Sequence, residues 1–234
     1  MNPILITGGA QRIGLHLARS LLEQGRSVAI SYRTRHPAVD ELEAAGALCL
    51  PGDFATDQGV LAFIEQLKGK VTGLRAIIHN ASSWQSEGPL EDAPALFDAM
   101  MQIHAKAPYL INRHLAPLLD NGDKPADIIH ITDYVVEKGS AEHTAYVASK
   151  AALENLTLSF AQALAPGVKV NSIAPSLIIF NEDDSEDYRQ KTLAKSVMGI
   201  EPGCQEISSA VRYLLDSHYV TGRTLKVDGG RHIR

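Results

Sequence analysis

"PILITGGAQRIGLHLARSLLEQGRSVAISY", residues 3–32, decides the fold. "PILIT" and "SVAISY" are short, wholly apolar runs of strand length. Between them Ile13, Leu17, Leu21 and Leu22 recur at helical spacing, and Gly25 marks the helix stop. Strand, helix, strand in so few residues implies a parallel pair with a crossover helix. The first turn, "TGGAQRIG" (7–14), places glycines where a strand hands over to a helix. Glycine there lets the backbone approach a pyrophosphate, and the helix N-terminus attracts its charge. An ordinary tight turn is the bland alternative.

The alternation continues along the chain. Strands are expected in "ALCLPGD" (47–53), "LRAIIHNAS" (74–82), "ADIIHITD" (126–133), "VKVNSIAPS" (168–176) and "RTLKVDGG" (223–230). Helices are expected in "QGVLAFIEQLKGK" (58–70), in one long run over 95–119, and over 145–166, stopped by Pro166. This predicts an α/β fold, a Rossmann-type doubly wound, seven-stranded parallel sheet with helices on both faces. One domain, 1–234, is expected, with an acidic insertion ("NEDDSEDYRQKT") inside a substrate loop at 176–203.

The sequence is 234 residues long, 45% hydrophobic and 21% charged, with a net charge of −5. That suits one sizeable core and argues against a nucleic-acid binder, which needs a basic face. No apolar run reaches membrane-span length, and no leader precedes "ILIT", so a cytoplasmic protein is expected. Cys49 and Cys204 then read as reduced, packed thiols. No metal-ligand set is expected.

Strand two ends in "SYRTRH" (31–36). An acid at this point would hold a ribose 2′-hydroxyl; Arg33 and Arg35 suit a 2′-phosphate, with Arg12 a further cation. NADP is therefore favoured over NAD. Asp53, at the exit of strand three, is either a hydrogen-bond acceptor for adenine or a helix cap. Tyr146 and Lys150, one helical turn apart, share a face. A phenol titrates near ~10, and a neighbouring ammonium, together with a nicotinamide cation, is expected to lower that value and make it a proton relay.

"TGGAQRIG", "HNAS" (79–82), "YVASK" (146–150), "VNSIAPS" (170–176) and "TGRTLKVDGG" (221–230) resemble, in order and spacing, the short-chain dehydrogenase/reductase family over essentially the whole chain. The resemblance implies hydride transfer with NADPH and a homotetramer. It makes Tyr146 and Lys150 catalytic and assigns the cofactor to Gly8, Arg12, Ile13, Gly14, Arg33, Thr34, Asp53, Phe54, Asn80, Ala81, Ser82, Thr132, Tyr146, Lys150, Pro175, Ser176 and Leu177. Ser176 stands where a glycine is usual, and three further positions depart from the family pattern. Asp133 stands where a serine is usual, His104 where an asparagine is usual, and Arg12 where a glycine is usual. Arg12, "NASSW" (80–84) and Asp133 together resemble the pteridine reductase branch. "ITDYVVEKGS" and "SYRTRHPA" are closer still to its bacterial dihydromonapterin reductases.

What this implies is reduction of 7,8-dihydromonapterin to the tetrahydro form, a step of one-carbon metabolism, with weaker dihydrofolate reduction. Asp133 would be catalytic, and Arg12, Ser82, Trp84, Asp133 and Tyr146 would meet the pterin. A carboxylate accepts from the amino and ring N–H groups of a pterin, and an indole stacks on its plane. The bland alternatives are Asp133 as a cap of the next segment and Trp84 as a loop anchor; His104 reads as a packed, hydrogen-bonded histidine. A carbonyl or 3-oxoacyl reductase, and a non-catalytic dinucleotide-binding regulator, remain the alternatives.

Overall fold

The computed structural model describes residues 2–119, 122 and 124–234. Seven strands form one sheet: β1 (Ile4–Ile6), β2 (Val28–Tyr32), β3 (Leu48–Pro51), β4 (Ala76–His79), β5 (Ala126–Ile131), β6 (Val168–Pro175) and β7 (Thr224–Val227). Their order is β3-β2-β1-β4-β5-β6-β7, and every pairing is parallel. β1, β4, β5 and β6 are buried along their whole lengths, as strands covered by helices on both faces are.

Alternate strand residues feed two cores. Ile4, Ile6, Ile30 and Ile78 pack against α1 (Arg12–Glu23), α2 (Pro37–Ala44) and α8 (Gln205–Asp216). Leu5, Ala29 and Ile77 pack against α3 (Asp57–Lys68), α5 (Ala107–Leu115) and α6 (Thr144–Leu164). The doubly wound expectation holds. α1 ends as expected, with Gly25 at φ 73° and Arg26 N–H closing onto the Leu21 carbonyl.

Two local details differ from the sequence reading. α2 was not anticipated: Pro37 opens it, and only Val39 and Leu42 face inward. The run over 95–119 is not one α-helix. α4 (Ala93–Met101) passes through a π turn (Gln102–Lys106) into α5. Ala107 N–H reaches back to the Gln102 carbonyl. Pro108 cannot donate to the carbonyl of His104 and its ring crowds it, so the helix widens just before the proline. The insertion holds one short helix, α7 (Glu186–Leu193), capped by Ser185.

At the amino edge of the sheet, Asp127 is fully buried. It pairs with Lys169 and Arg75, each at 2.6 Å. Both cations also donate to the last carbonyls of α8, Lys169 to Leu214 and Arg75 to Leu215. Positive charge at a helix C-terminus is favourable. The functional side chains lie at the opposite edge.

Candidate active site

β1 and β4 are neighbours whose connections leave toward opposite faces, so a crevice opens above their carboxyl ends. The glycine turn is held there by main-chain bonds. Asn80 donates to the carbonyls of Thr7 and Gly8, both at 3.0 Å, and the Thr7 hydroxyl accepts from Asn80 and Ala81 N–H. Gly14 admits no side chain: a Cβ there would stand 2.3 Å from the Gly8 carbonyl oxygen. Gly8 has φ +65°, with Ala81 Cα against it. Arg12 adopts φ 49°, a strained value for a residue with a side chain and common at binding sites.

No side chain caps α1, and no acid stands in its first turn. The donors at that end suit an anion. Ile13 and Gly14 lie in this turn. The residues present therefore fit the phosphates of a dinucleotide.

Arg33 and Thr34 are exposed at the end of β2, and Arg33 makes no ion pair with a described residue. Arg35 differs. Its guanidinium is spent on Asp40 and on Glu43 at 2.6 Å, which push its pKa further up. Asp53 accepts from Ala55 N–H at 3.1 Å; the cap of α3 is Thr56. Phe54 is buried edge-on against Phe63. Thr132 is also buried, its hydroxyl donating to the Ile173 carbonyl. Ser176 donates to the Asp228 carbonyl, and Leu177 begins the loop after Pro175. The Arg12 guanidinium crosses to that loop, donating to the Ile179 carbonyl at 3.2 Å and to Asn181.

The chemical groups converge beyond β5. Asp133 uses both oxygens. Oδ1 accepts from Val135 N–H at 2.9 Å, capping the 3₁₀ turn Tyr134–Glu137, and Oδ2 accepts from the Tyr146 hydroxyl at 2.9 Å. One carboxylate oxygen caps and the other meets Tyr146. Lys150 is buried and donates to the Ile131 carbonyl at 2.9 Å. Burial lowers it to about 8, with Asp133 pulling the other way.

The expectation that Lys150 lowers Tyr146 is corrected. Burial, and then Asp133, raise the phenol well above its usual value. Burial also raises Asp133, against the Val135 N–H, Tyr146 and Lys150. A phenolate beside a carboxylate is disfavoured, so Tyr146 keeps its proton.

Trp84 is 62% exposed and lies over His143, ring centroids 4.1 Å apart, and edge-on to Tyr146 at 4.8 Å. Glu87, three residues on, accepts from Ala145 N–H at 2.9 Å and from the Thr144 hydroxyl. This remote carboxylate caps the helix that carries Tyr146, where His143 offers no side-chain cap. Its role was not legible in the sequence.

His104 is fully buried in the π turn. Ser83 N–H and the Ser82 hydroxyl donate to Nε2 at 3.2 and 2.8 Å. Nδ1 must then carry the hydrogen, and it donates to Ser149 at 2.8 Å; Ser149 donates on to the Tyr146 carbonyl. Burial, then Lys150, lowers His104 to about 2. It is a neutral bracket between the Trp84 loop and α6, with no proton free to give.

Beneath it runs a second chain of one polarity. His79 Nε2–H donates to Asn112, Asn112 to His130 Nε2, and His130 Nδ1–H to Thr157. Burial keeps both histidines neutral; His79 falls to about 4. Among the described residues no cluster suits a metal ion.

A family model described as enoyl-(acyl carrier protein) reductase matches residues 8–232. The chain is 58% identical to the dihydromonapterin reductase of Klebsiella pneumoniae, covering 100% of this chain and 98% of that protein. It is 55% identical to the one of Escherichia coli O6:K15:H31, covering 99% and 97%. It is also similar to the crystal structure of alternative dihydrofolate reductase 1 from Brucella canis complexed with NADP. The TM-score there is 0.87 at 29% identity, over 100% of this chain and 95% of that one.

Proposed function

The chain belongs to the short-chain dehydrogenase/reductase family, in its pterin-reducing branch, and from that premise we propose that it reduces the N5=C6 bond of a 7,8-dihydropterin with NADPH. 7,8-Dihydromonapterin is its main substrate and dihydrofolate a slower one. The observation that carries this reading is the Tyr146–Asp133 hydrogen bond, at 2.9 Å. Carbonyl reduction calls for a donor to the carbonyl oxygen. Asp133 is instead an acceptor bound to a phenol that keeps its proton. A pterin needs such a pair: a carboxylate for its N–H groups and a proton for N5.

NADPH, when bound, supplies the hydride to C6. Gly8, Ile13, Gly14, Asn80 and Ala81 would hold its phosphates and the inner wall of its site, Pro175 to Leu177 the nicotinamide side, and Lys150 the ribose. Asp133, raised by burial, would take up a proton as the site closes; when the Tyr146 hydroxyl gives its own proton to N5, the one on Asp133 replaces it, and no free phenolate remains. Trp84 covers the pterin plane and shields the pair from water. Arg12 reaches the pterin edge on leaving Asn181.

Arg33, not Arg35, holds the 2′-phosphate, because Arg35 already carries two carboxylates. Arg33→Asp is therefore expected to raise KM for NADPH roughly 10- to 100-fold and leave NADH nearly unchanged, since a charge-assisted bond contributes about 1.5–3 kcal/mol. Arg35→Ala is expected to change the NADPH to NADH preference far less. Equal losses with both cofactors in Arg33→Asp would remove the assignment.

Residues 1–234 form one NADP-binding domain, with 176–203 as its substrate loop. The working form is a cytoplasmic homotetramer acting in one-carbon metabolism. In support of assembly, Phe97 on α4, Tyr109 on α5 and Leu158 on α6 are apolar and exposed. No described helix is long and apolar enough to cross a membrane. The test of function follows NADPH oxidation with dihydromonapterin, dihydrobiopterin and dihydrofolate, with NADH as control. NADPH-specific turnover of a dihydropterin is expected; silence on all three, with activity on a carbonyl panel, would overturn the reading.

A further inference from the structure

Residues 84–90, the stretch after β4 that begins with Trp84, are exposed throughout. Packing therefore does little to place them, and hydrogen bonds at two points do the rest. Upstream, the Ser82 hydroxyl and Ser83 N–H end on His104, which donates in turn to Ser149 of α6. Downstream, Glu87 N–H donates to the Glu142 carbonyl at 2.8 Å. Its side-chain Oε1 accepts from Ala145 N–H at 2.9 Å and from the Thr144 hydroxyl. Both tethers thus end on α6, one at Ala145, just before Tyr146, and one at Ser149, three residues after it. The indole of Trp84 stands between them, edge-on to Tyr146. The Thr144 hydroxyl and then Ala145 N–H hold Glu87 below the usual carboxylate range, so it is an anion at neutral pH.

Given a reductase that stacks a dihydropterin on Trp84, we propose that Glu87 is a positioning residue for the substrate: by bridging the Trp84 segment to the start of α6, it fixes where the indole stands relative to the Tyr146 hydroxyl. A cap supplied by the residue next to a helix steadies that helix alone. Supplied by Glu87, 58 positions away, the same two bonds also tie down a loop. The two rings depend on that bridge unequally. Tyr146 is buried beside Met100 and Ala145, with its hydroxyl on Asp133. Trp84 is 62% exposed, and its neighbours are the rings of His143 and Tyr146, on the far side of the bridge. Loss of Glu87 therefore falls on the indole first, and on substrate binding before turnover.

The test reads the indole directly. Trp84 is the one tryptophan in the sequence, so the decay of tryptophan fluorescence anisotropy reports it alone. In the wild type the ring is expected to turn with the whole protein. In Glu87→Ala a fast component of independent rotation, nanoseconds or less, is expected to appear. In the same variant KM for the dihydropterin is expected to rise roughly 3- to 10-fold, the worth of one aromatic stacking contact. Turnover and KM for NADPH are each expected to stay within about twofold. Glu87→Gln keeps the accepting oxygen and is expected to recover most of both readouts. Thr144→Val, which removes one of the two donors, is expected to move both part of the way, and serves if the alanine variant does not fold. An unmoved anisotropy decay, a glutamine variant as impaired as the alanine one, or NADPH affinity lost in step with pterin affinity would overturn the assignment. A wild type inactive on every dihydropterin would strike the functional reading instead, and the anisotropy decay would still decide whether Glu87 holds the indole.

Discussion

Tyr146→Phe is expected to lower turnover of a dihydropterin by at least about 100-fold, the ordinary contribution of a positioned acid–base group. That corresponds to about 2.7 kcal/mol of barrier. The change removes one oxygen and little else. The ring keeps its edge contacts with Trp84 and with His104, at centroid distances of 4.8 and 5.3 Å. Lys150 and Arg33 are untouched, so NADPH affinity is expected to stay within about twofold, a change under 0.5 kcal/mol. What is lost is the 2.9 Å bond to Asp133, and with it the proton for N5. Steady-state kcat beside an NADPH-binding titration separates the two effects. Near-wild-type kcat would take Tyr146 out of the proton path.

The second large effect is on stability, far from the chemistry. Asp127→Ala is expected to cost about 3–5 kcal/mol, the usual penalty for breaking a buried ion pair from one side. Burial pushes Asp127 upward, and Lys169 and Arg75 pull it back. Removing it leaves Lys169, 6% exposed at the side chain, without its carboxylate in the interior. For a chain of this size the melting temperature is expected to fall by roughly 10 °C. Since the trio lies at the amino edge of the sheet, kcat per folded molecule is expected to hold. A loss under about 1 kcal/mol in denaturant melts would show that water or a shifted proton replaces the pair.

The sheet was legible because buried parallel strands leave an apolar trace: "PILIT" is almost wholly apolar, and "AIIH" and "ADIIHI" each carry a pair of isoleucines at their centre. The glycine turn and the Tyr146–Lys150 spacing were legible for the same reason, being local. Burial depth is not local, and it reversed the direction expected for Tyr146. The choice between Arg33 and Arg35 was hidden by one omission. α2 went unread because only Val39 and Leu42 face inward, yet that helix carries Asp40 and Glu43 onto Arg35. Glu87 acts across 58 positions of chain, on Ala145, and no spacing announces it. His104 could be placed in its register, but its tautomer follows only from the Ser83 N–H that points at it.

The π turn at Gln102–Lys106 also sets the angular phase of everything after it. α4 packs on α6, whereas α5 packs on α3. A continuous α-helix would carry one stripe along its whole length; the widened turn lets the rod change partners midway. Tightening that turn to the regular pitch with no residue removed would spin α5 by about 100°. Ile111 and Leu115 would leave the lower core, and Asn112 would swing away from both His79 and His130. The contacts of α5 therefore hang on that one wide turn, although the run over 95–119 reads as a single helix.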